Sequence, residues 1–281
     1  MNNGGQSEVK RDVSIVIPLF NQLDYTKLCV ESLKANNDFI SEIILVDNGS
    51  TDGTAEYLAS CDGVRVIINE TNRGCAGAWN QGVEAASSPW IAILNNDIIV
   101  SPGWLKGLRD FAAQEQMDIV SPSLREGEYN YDIAEYSREF VRCMASVKRM
   151  GTAQGACFMV HRRVFDAIGC FDENFKIGGS EDTDFYWRAM QAGFKLGATG
   201  RSFVHHFGSV TQDYIKKHVL KRCYGPEHRA YFREKWKLNW WDRFLIRQKF
   251  KFQEFYWRKT EKIRFGHSLK ERLVGGKMYY Y

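Results

Sequence analysis

Three polar clusters in this 281-residue chain have the residue types and spacing that chemistry needs. The first is "NND" at 95–97, directly after the apolar run "IAIL". A carboxylate in the position of Asp97 can bind a hard divalent cation, Mg²⁺ or Mn²⁺, with phosphate oxygens from a substrate completing the shell, because one carboxylate alone is a poor cage. Asn95 and Asn96 add amide groups without charge. The competing reading, an Asp capping the next helix, is weakened because that helix starts later, near Ser101-Pro102. The second cluster is "EDTD" at 181–184. One carboxylate there can act as a general base towards a hydroxyl, with its proton affinity raised by a charged neighbour. Equally, Glu181 and Asp182 could simply favour a helix N-terminus. The third is His205-His206 after "SFV". Adjacent strand residues point to opposite faces, so one ring could reach a metal, and a purely structural role competes with that.

These residues must be carried by a repeating scaffold. Short apolar runs at 13–17, 42–46, 64–69 and 90–94 alternate with helical patterns at about 24–36, 52–60, up to 86 and up to 115. Continuous apolar strands between amphipathic helices predict a mainly parallel sheet covered on both faces, with ligands at the carboxyl ends of its strands. The loops after those ends are Pro18 to Asn21, Asp47 to Asp52, Asn72 to Gly77 and Asn95 to Asp97, so four loops converge on one crevice. "NRGCAGAWNQG" (72–82) places small residues where free N–H groups could meet an anion, or serves only as a turn. Asp47, at a strand end, is read as a ligand contact, Asn48-Gly49 as the turn, and Asp52 as a cap for the next helix. Residues 125–150 are charged, Tyr-rich and irregular, and read as an excursion over the crevice. Order returns with a strand, a helix and a turn over 152–175.

Composition narrows the class. Apolar residues make up 44% of the chain and charged residues 26%, as in ordinary globular proteins. Seven cysteines without CxxC pairs argue for a reducing compartment and against a zinc site or disulfide framework. There is no signal-like segment and no membrane-spanning run, so the expected location is the cytoplasm. "PLFNQ" rather than GxGxxG follows the first strand, which disfavours a dinucleotide oxidoreductase. The basic Gly-rich loop of a nucleotidyltransferase is also missing there.

The ordered set "VSIVIPLFNQ", "ILVDNGSTDGT", "NRGCAGAWNQG", "ILNND", "GACFMVHRRVF" and "GGSEDTDFYWRAMQAG" resembles family 2 glycosyltransferases of the GT-A fold over roughly residues 12–210. The "LNND" and "VHHFGS" forms look closest to rhamnosyltransferase-like members that build bacterial surface polysaccharides. The resemblance implies an α/β, Rossmann-like fold, a nucleotide-diphosphate sugar donor, a divalent cation and inversion at the anomeric carbon, with a hexose or deoxyhexose transferred to a glycan or lipid-linked acceptor. By position it implies that Pro18, Phe20, Asn21 and Asp47 hold the base and ribose, and that Asn72 and Gly74 line the diphosphate or sugar path. Asn95 and Asn96 join the donor-binding residues and lead to Asp97 on the metal, with His206 as the further ligand. Asp182 becomes the base, with Gly155 and Glu181 on the acceptor side. Asn95 stands where the family has an acidic residue, a departure that bears on metal affinity. A catalytically inactive scaffold that binds membrane or glycan is the alternative from another class.

The expected organisation is a disordered segment over 1–11, the GT-A domain over 12–232, and a basic aromatic, helical extension over 233–281. That extension carries 14 Lys/Arg and 5 Asp/Glu, against 24 and 29 in the rest of the chain. Its basic and aromatic composition suits the headgroup region of a membrane, which predicts peripheral contact on the inner face of the cell membrane. Its apolar residues do not fall on one clean face at 3.6 spacing, so packing on the body or self-association competes with that reading. No motif supports nucleic-acid binding.

Overall fold

The computed structural model describes residues 10–176, 178–218 and 225–281. The expected disordered segment 1–11 falls outside them as far as residue 9, and so does Cys223.

The first half alternates strand and helix: β1 (Val13–Leu19), α1 (Leu23–Ala35), β2 (Ile40–Asp47), α2 (Thr54–Ala59), β3 (Arg65–Ile68), α3 (Gly74–Ala85) and β4 (Trp90–Leu94). After it come β5 (Ile98–Val100), α4 (Trp104–Glu115), β6 (Ile119–Gly127), α5 (Ile133–Met144), β7 (Lys148–Met150), β8 (Cys157–His161), α6 (Arg162–Ile168) and α7 (Glu181–Gln191). The described chain ends with β9 (Leu196–His206), α8 (Val210–His218), α9 (Gly225–Lys235), α10 (Trp240–Phe265), β10 (Lys270–Val274) and β11 (Lys277–Tyr280).

One mixed sheet runs in the order β11-β10-β6-β8-β4-β1-β2-β3, with β9 beside β6 and the short β5 and β7 both paired to β9. The β1–β2, β2–β3 and β1–β4 pairs are parallel, and β8 is antiparallel to β4. The central strands are apolar on both faces because helices cover both. On one side α1 and α4 bury Cys29, Leu33, Trp104 and Phe111. On the other, α3, α6 and α7 bury Trp79, Phe165 and Phe185. Gly82 lets α3 lie directly on β1, since a Cβ there would sit 2.2 Å from Val16 Cγ1.

Residues 125–150 are more regular than their composition suggests. β6 runs on through Gly127, and Asp132 caps α5 by accepting from the Glu135 N–H at 2.8 Å. The buried side of α5, with Phe140 and Met144, packs on Phe203 of β9. The excursion is therefore part of the core, because its apolar residues recur at helical spacing and meet a waiting strand. The end of the chain also returns to the body, as β10 pairs in parallel with β6, Lys270 opposite Leu124. No helix among the described residues is long and apolar enough to cross a membrane.

Candidate active site

The strand ends converge as the topology requires. A cavity of about 300 Å³ opens at the carboxyl ends of β1 and β4, and is walled by residues from the loops after β1, β2, β3 and β4, the turn before β8 and the start of α7. Of the residues expected at the site, Pro18, Phe20, Asn72, Asn95, Asn96, Asp97, Gly155, Glu181, Asp182 and His206 line it.

Asn21, Asp47 and Gly74 stand behind that wall. Asn21 adopts the left-handed backbone (φ +54°), donates its N–H to Ser50 Oγ at 2.8 Å and accepts from the Thr51 N–H at 2.7 Å. It thereby clips the loops after β1 and β2 together. Asp47 accepts from the Ser50 N–H at 3.0 Å. Gly74 opens α3 and donates its N–H to Asn72 Oδ1 at 2.8 Å. Asp52 does support the start of α2, accepting from Thr54 Oγ1 at 2.6 Å, and it also accepts from the Leu23 N–H at the start of α1. Asn48, which sequence reasoning passed over as a turn residue, is the hub here. Its amide donates to Asn72 Oδ1 at 2.9 Å and to the Gly74 carbonyl, and accepts from Asn69 Nδ2 and the Arg73 N–H.

Asp97 owes its surroundings to β5, three residues too short to stand out in the sequence. β5 pairs antiparallel with β9 and sets Ile98 opposite His206. Asp97 Oδ1 then lies 3.3 Å from His206 Nε2, and Oδ2 accepts from the Val210 N–H at the start of α8 at 3.4 Å. The strand alternation divides the histidines: His206 faces the cavity, while His205 lies among Tyr129, Tyr131 and Phe207 and shares a 3.0 Å hydrogen bond with the Tyr131 hydroxyl. Burial drives the His205 ring down to about 3, so it stays neutral. Burial works against the His206 imidazolium too, but Asp97 and Glu126 outweigh it and lift the ring to about 9.

Two residues missed by sequence reasoning extend this line. Glu126 Oε1 lies 3.4 Å from His206 Nδ1 and 3.4 Å from Lys270 Nζ, and both side chains line the cavity. Burial opposes the Glu126 charge, yet His206 and Lys270 hold its carboxyl down at about 2. Lys270 comes from β10, more than 140 positions along the chain, and no motif marks it. Asn96 is buried and committed to the frame: it donates to Thr26 Oγ1 at 3.1 Å and accepts from Thr211 Oγ1 at 3.1 Å, linking α1 to α8. Asn95 is half-buried, and its backbone N–H is held by the Ala156 carbonyl at 2.9 Å.

The carboxylates of "EDTD" divide by helical geometry. Ser180 (φ +86°) precedes α7 without a side-chain cap bond, after Gly178 and Gly179, which also have positive φ. Asp184 is fully buried away from the cavity, held by Arg188, Lys235 and Trp236. Glu181 is buried at the wall and accepts from the Gly179 N–H. Burial and the neighbouring Asp182 charge raise its carboxyl to about 7. Asp182 is half-buried and likewise shifted upward by burial, and its Oδ1 accepts from the Thr183 N–H at 2.7 Å. Its other oxygen lies against Gly155, where an added Cβ would stand 2.0 Å away.

The residues present fit a divalent cation. Asp97 offers a carboxylate oxygen and His206, once its proton is displaced, an imidazole nitrogen, side by side, and neither ring nitrogen of the buried His206 completes a well-directed hydrogen bond. No group of three His, Cys, Asp or Glu side chains that could by itself hold a metal ion forms among the described residues. That donor set matches an ion which leaves positions for phosphate oxygens and water.

The family model for glycosyl transferase family 2 matches residues 14–169, more than half of the chain. The chain belongs to glycosyltransferase family 2. It is 29% identical over 198 residues to the pre-mycofactocin glycosyltransferase of Mycobacterium tuberculosis, a match covering 66% of this chain and 40% of that one. It is 31% identical over 226 residues to the putative glycosyltransferase EpsH of Bacillus subtilis, covering 73% and 64% respectively. The chain thus spans less than two thirds of the length of these relatives. Among solved structures it resembles GalNAc-T7 crystallised with UDP, GalNAc and Mn²⁺, at TM-score 0.57 and 18% identity over 70% of this chain and 43% of that one. The fold is GT-A.

Proposed function

We propose that this family member is a metal-dependent, inverting glycosyltransferase that moves a hexosyl or deoxyhexosyl group from a nucleotide-diphosphate sugar to a glycan or lipid-linked acceptor in surface polysaccharide synthesis. The observation that carries this reading is the shared cavity: a carboxylate–imidazole pair, Asp97 and His206, and a proton-hungry carboxylate, Asp182, given its room by Gly155, line the same 300 Å³ space. Asp182 accepts the acceptor hydroxyl proton while that oxygen bonds to the anomeric carbon and the bond from that carbon to the diphosphate breaks. Burial raises the affinity of Asp182 for that proton. Glu181, held near 7 beside it, limits how much negative charge the pair carries. Asp97 and His206 would hold the cation, which when bound offsets charge on the departing diphosphate.

Pro18, Phe20, Asn72, Asn95 and Asn96 form the donor wall, with Asn21, Asp47 and Gly74 shaping its loops from behind. Similarity to rhamnosyltransferase-like members motivates testing nucleotide-linked deoxysugars first. Residues 233–281 would contact the inner face of the cell membrane and bring the cavity to a lipid-linked acceptor.

The test is a panel of nucleotide sugars read by thermal shift and by nucleotide release, with Mn²⁺ and with EDTA. Stabilisation by a donor in Mn²⁺, lost in EDTA, is expected. Asp182→Asn should retain that shift and lose turnover. A panel that stabilises under neither condition, or an Asp182→Asn variant with normal turnover, refutes the assignment.

A further inference from the structure

α10 runs 26 residues from a complete capping box at Asn239 and Asp242 to a left-handed Gly266. It is about 39 Å long at 1.5 Å per residue. Only Glu261 of this helix is fully buried. Its aromatic residues, which show no single face when all are taken together, separate into two sets once their exposure is known. Ile246, Gln253, Trp257, Thr260, Glu261 and Phe265 are half-buried or buried and turn towards the body, where Glu261 pairs with Arg149 at 2.8 Å and Trp257 lies 5.1 Å from the Arg149 guanidinium. Trp241, Phe244, Leu245, Phe252, Phe255, Tyr256 and Ile263 are all exposed, between 42% and 79%.

The exposed set has its own period. Trp241, Phe252 and Ile263 are 11 residues apart, and so are Phe244 and Phe255, and Leu245 and Tyr256. Eleven residues are three turns and about 20°, so the seven side chains share an arc of about 120° along a straight helix. A 3.6 or 3.5 template applied to the whole segment misses this repeat because the body-facing aromatics interrupt it. Of the other exposed large apolar residues, Trp240 stacks on Phe244 at the edge of the stripe (ring centroids 5.7 Å apart), while Phe250 lies off it.

We propose that this stripe is the face by which the protein lies on an anionic lipid bilayer, with α10 parallel to the membrane plane. The inference rests on the membrane contact read above and names its surface. Arg247, Lys251 and Arg258 border the stripe on one side and Lys249 on the other, with Lys262 at its edge and Lys259 within it. The helix as a whole holds eight Lys/Arg and three Asp/Glu, one of which, Glu261, is already paired inside the body. An aromatic stripe edged by cations matches the acyl–headgroup boundary, where rings insert and ammonium and guanidinium groups meet lipid phosphates. A second copy of the helix is a poorer match, since Lys259 and Gln248 would interrupt the seam and the flanking charges would meet their like. α10 also ends five residues before Lys270, which lines the cavity. The chain that would lie on the lipid is therefore the chain that completes the site.

The experiment uses the full chain and flotation with vesicles of phosphatidylcholine, with and without phosphatidylglycerol, alongside sedimentation equilibrium without lipid. Wild type should float with phosphatidylglycerol vesicles and partition at least about tenfold less onto phosphatidylcholine alone. The double variant Phe252→Ser, Tyr256→Ser should lose binding by a similar factor with an unchanged melting temperature, since both side chains are solvent-exposed. Phe250→Ser, off the stripe, should bind within about twofold of wild type. Wild type that never floats overturns the membrane contact itself and leaves the transferase reading to its own assay. Wild type that floats as well as the stripe variant overturns this face while leaving the contact. A wild-type dimer that the stripe variant converts to monomer assigns the face to a second copy instead and overturns the proposal.

Discussion

A single methyl group at residue 155 should separate chemistry from binding. Gly155 is half-buried in an ordinary backbone conformation, and a Cβ built on it falls 2.0 Å from Asp182 Oδ2 and 3.0 Å from Asp182 Cγ. Real Cβ contacts stay above 3.0 Å, so Gly155→Ala must push the carboxylate oxygen back by at least about 1 Å. A displacement of that size at a reacting group costs about 100-fold in rate. The donor wall at Phe20, Asn48 and Asn72 is untouched, so the KM for the nucleotide sugar should stay within about threefold. Steady-state nucleotide release gives both constants, and a thermal melt confirms folding. The decisive comparison is the double variant Gly155→Ala, Asp182→Asn, which should be no slower than Asp182→Asn alone, because the methyl acts only through that carboxylate. Wild-type kcat in Gly155→Ala, or fully additive losses in the double variant, would refute the geometry behind the base assignment.

Glu181 links stability to pH. Its folded carboxyl is raised from 4.5 to about 7, so it contributes stability while protonated, in full below about 4.5, and loses it as pH rises through about 7. Urea melts in EDTA should show wild type losing roughly 3 kcal/mol across that window from this group, and Glu181→Gln losing most of that dependence. Arg149→Met should cost roughly 3–5 kcal/mol in the same melts, since it strands the buried Glu261 carboxylate and also removes bonds to Ser268 and the Tyr281 carbonyl. A loss under about 1 kcal/mol would mean that water reaches Glu261. Lys270→Met removes a cation that lines the cavity and should lower kcat/KM for an anionic donor about tenfold without altering the melting temperature greatly. An unchanged kcat/KM would restrict Lys270 to balancing Glu126.

The positions of the polar clusters at strand ends were legible in the sequence because a buried parallel strand must be apolar throughout, and polar residues can begin only where it leaves the sheet. Asp97 was marked in this way. Asp182, at the start of a helix, was named as the base only through the family resemblance, which also chose His206 where strand alternation said only that one of the two rings could reach. Their neighbours were not legible. Glu126 looked like part of an irregular stretch because β6 is polar where it leaves the core, and Asn48 looked like turn chemistry because its bonds run to residues some 20 positions away. Asn21 and Asp47, expected to hold the base and ribose, do not line the cavity: Asn21 accepts from the Thr51 N–H some 30 positions away and Asp47 from the Ser50 N–H three residues on.

What the sequence by itself determined is periodic and local: the alternation of strand and helix, the chemistry available at each strand end, and the basic, aromatic character of the last fifty residues. Tertiary structure decided which of those groups meet. β5 is three residues long, and only its pairing with β9 sets Asp97 against His206. β10 reaches the cavity only because β6 has a free edge for it, and Lys270 arrives there with it. The stripe on α10 exists only because the body takes the other aromatic face of that helix. Contacts of this kind depend on pairing between distant segments, which leaves no period in the chain to read.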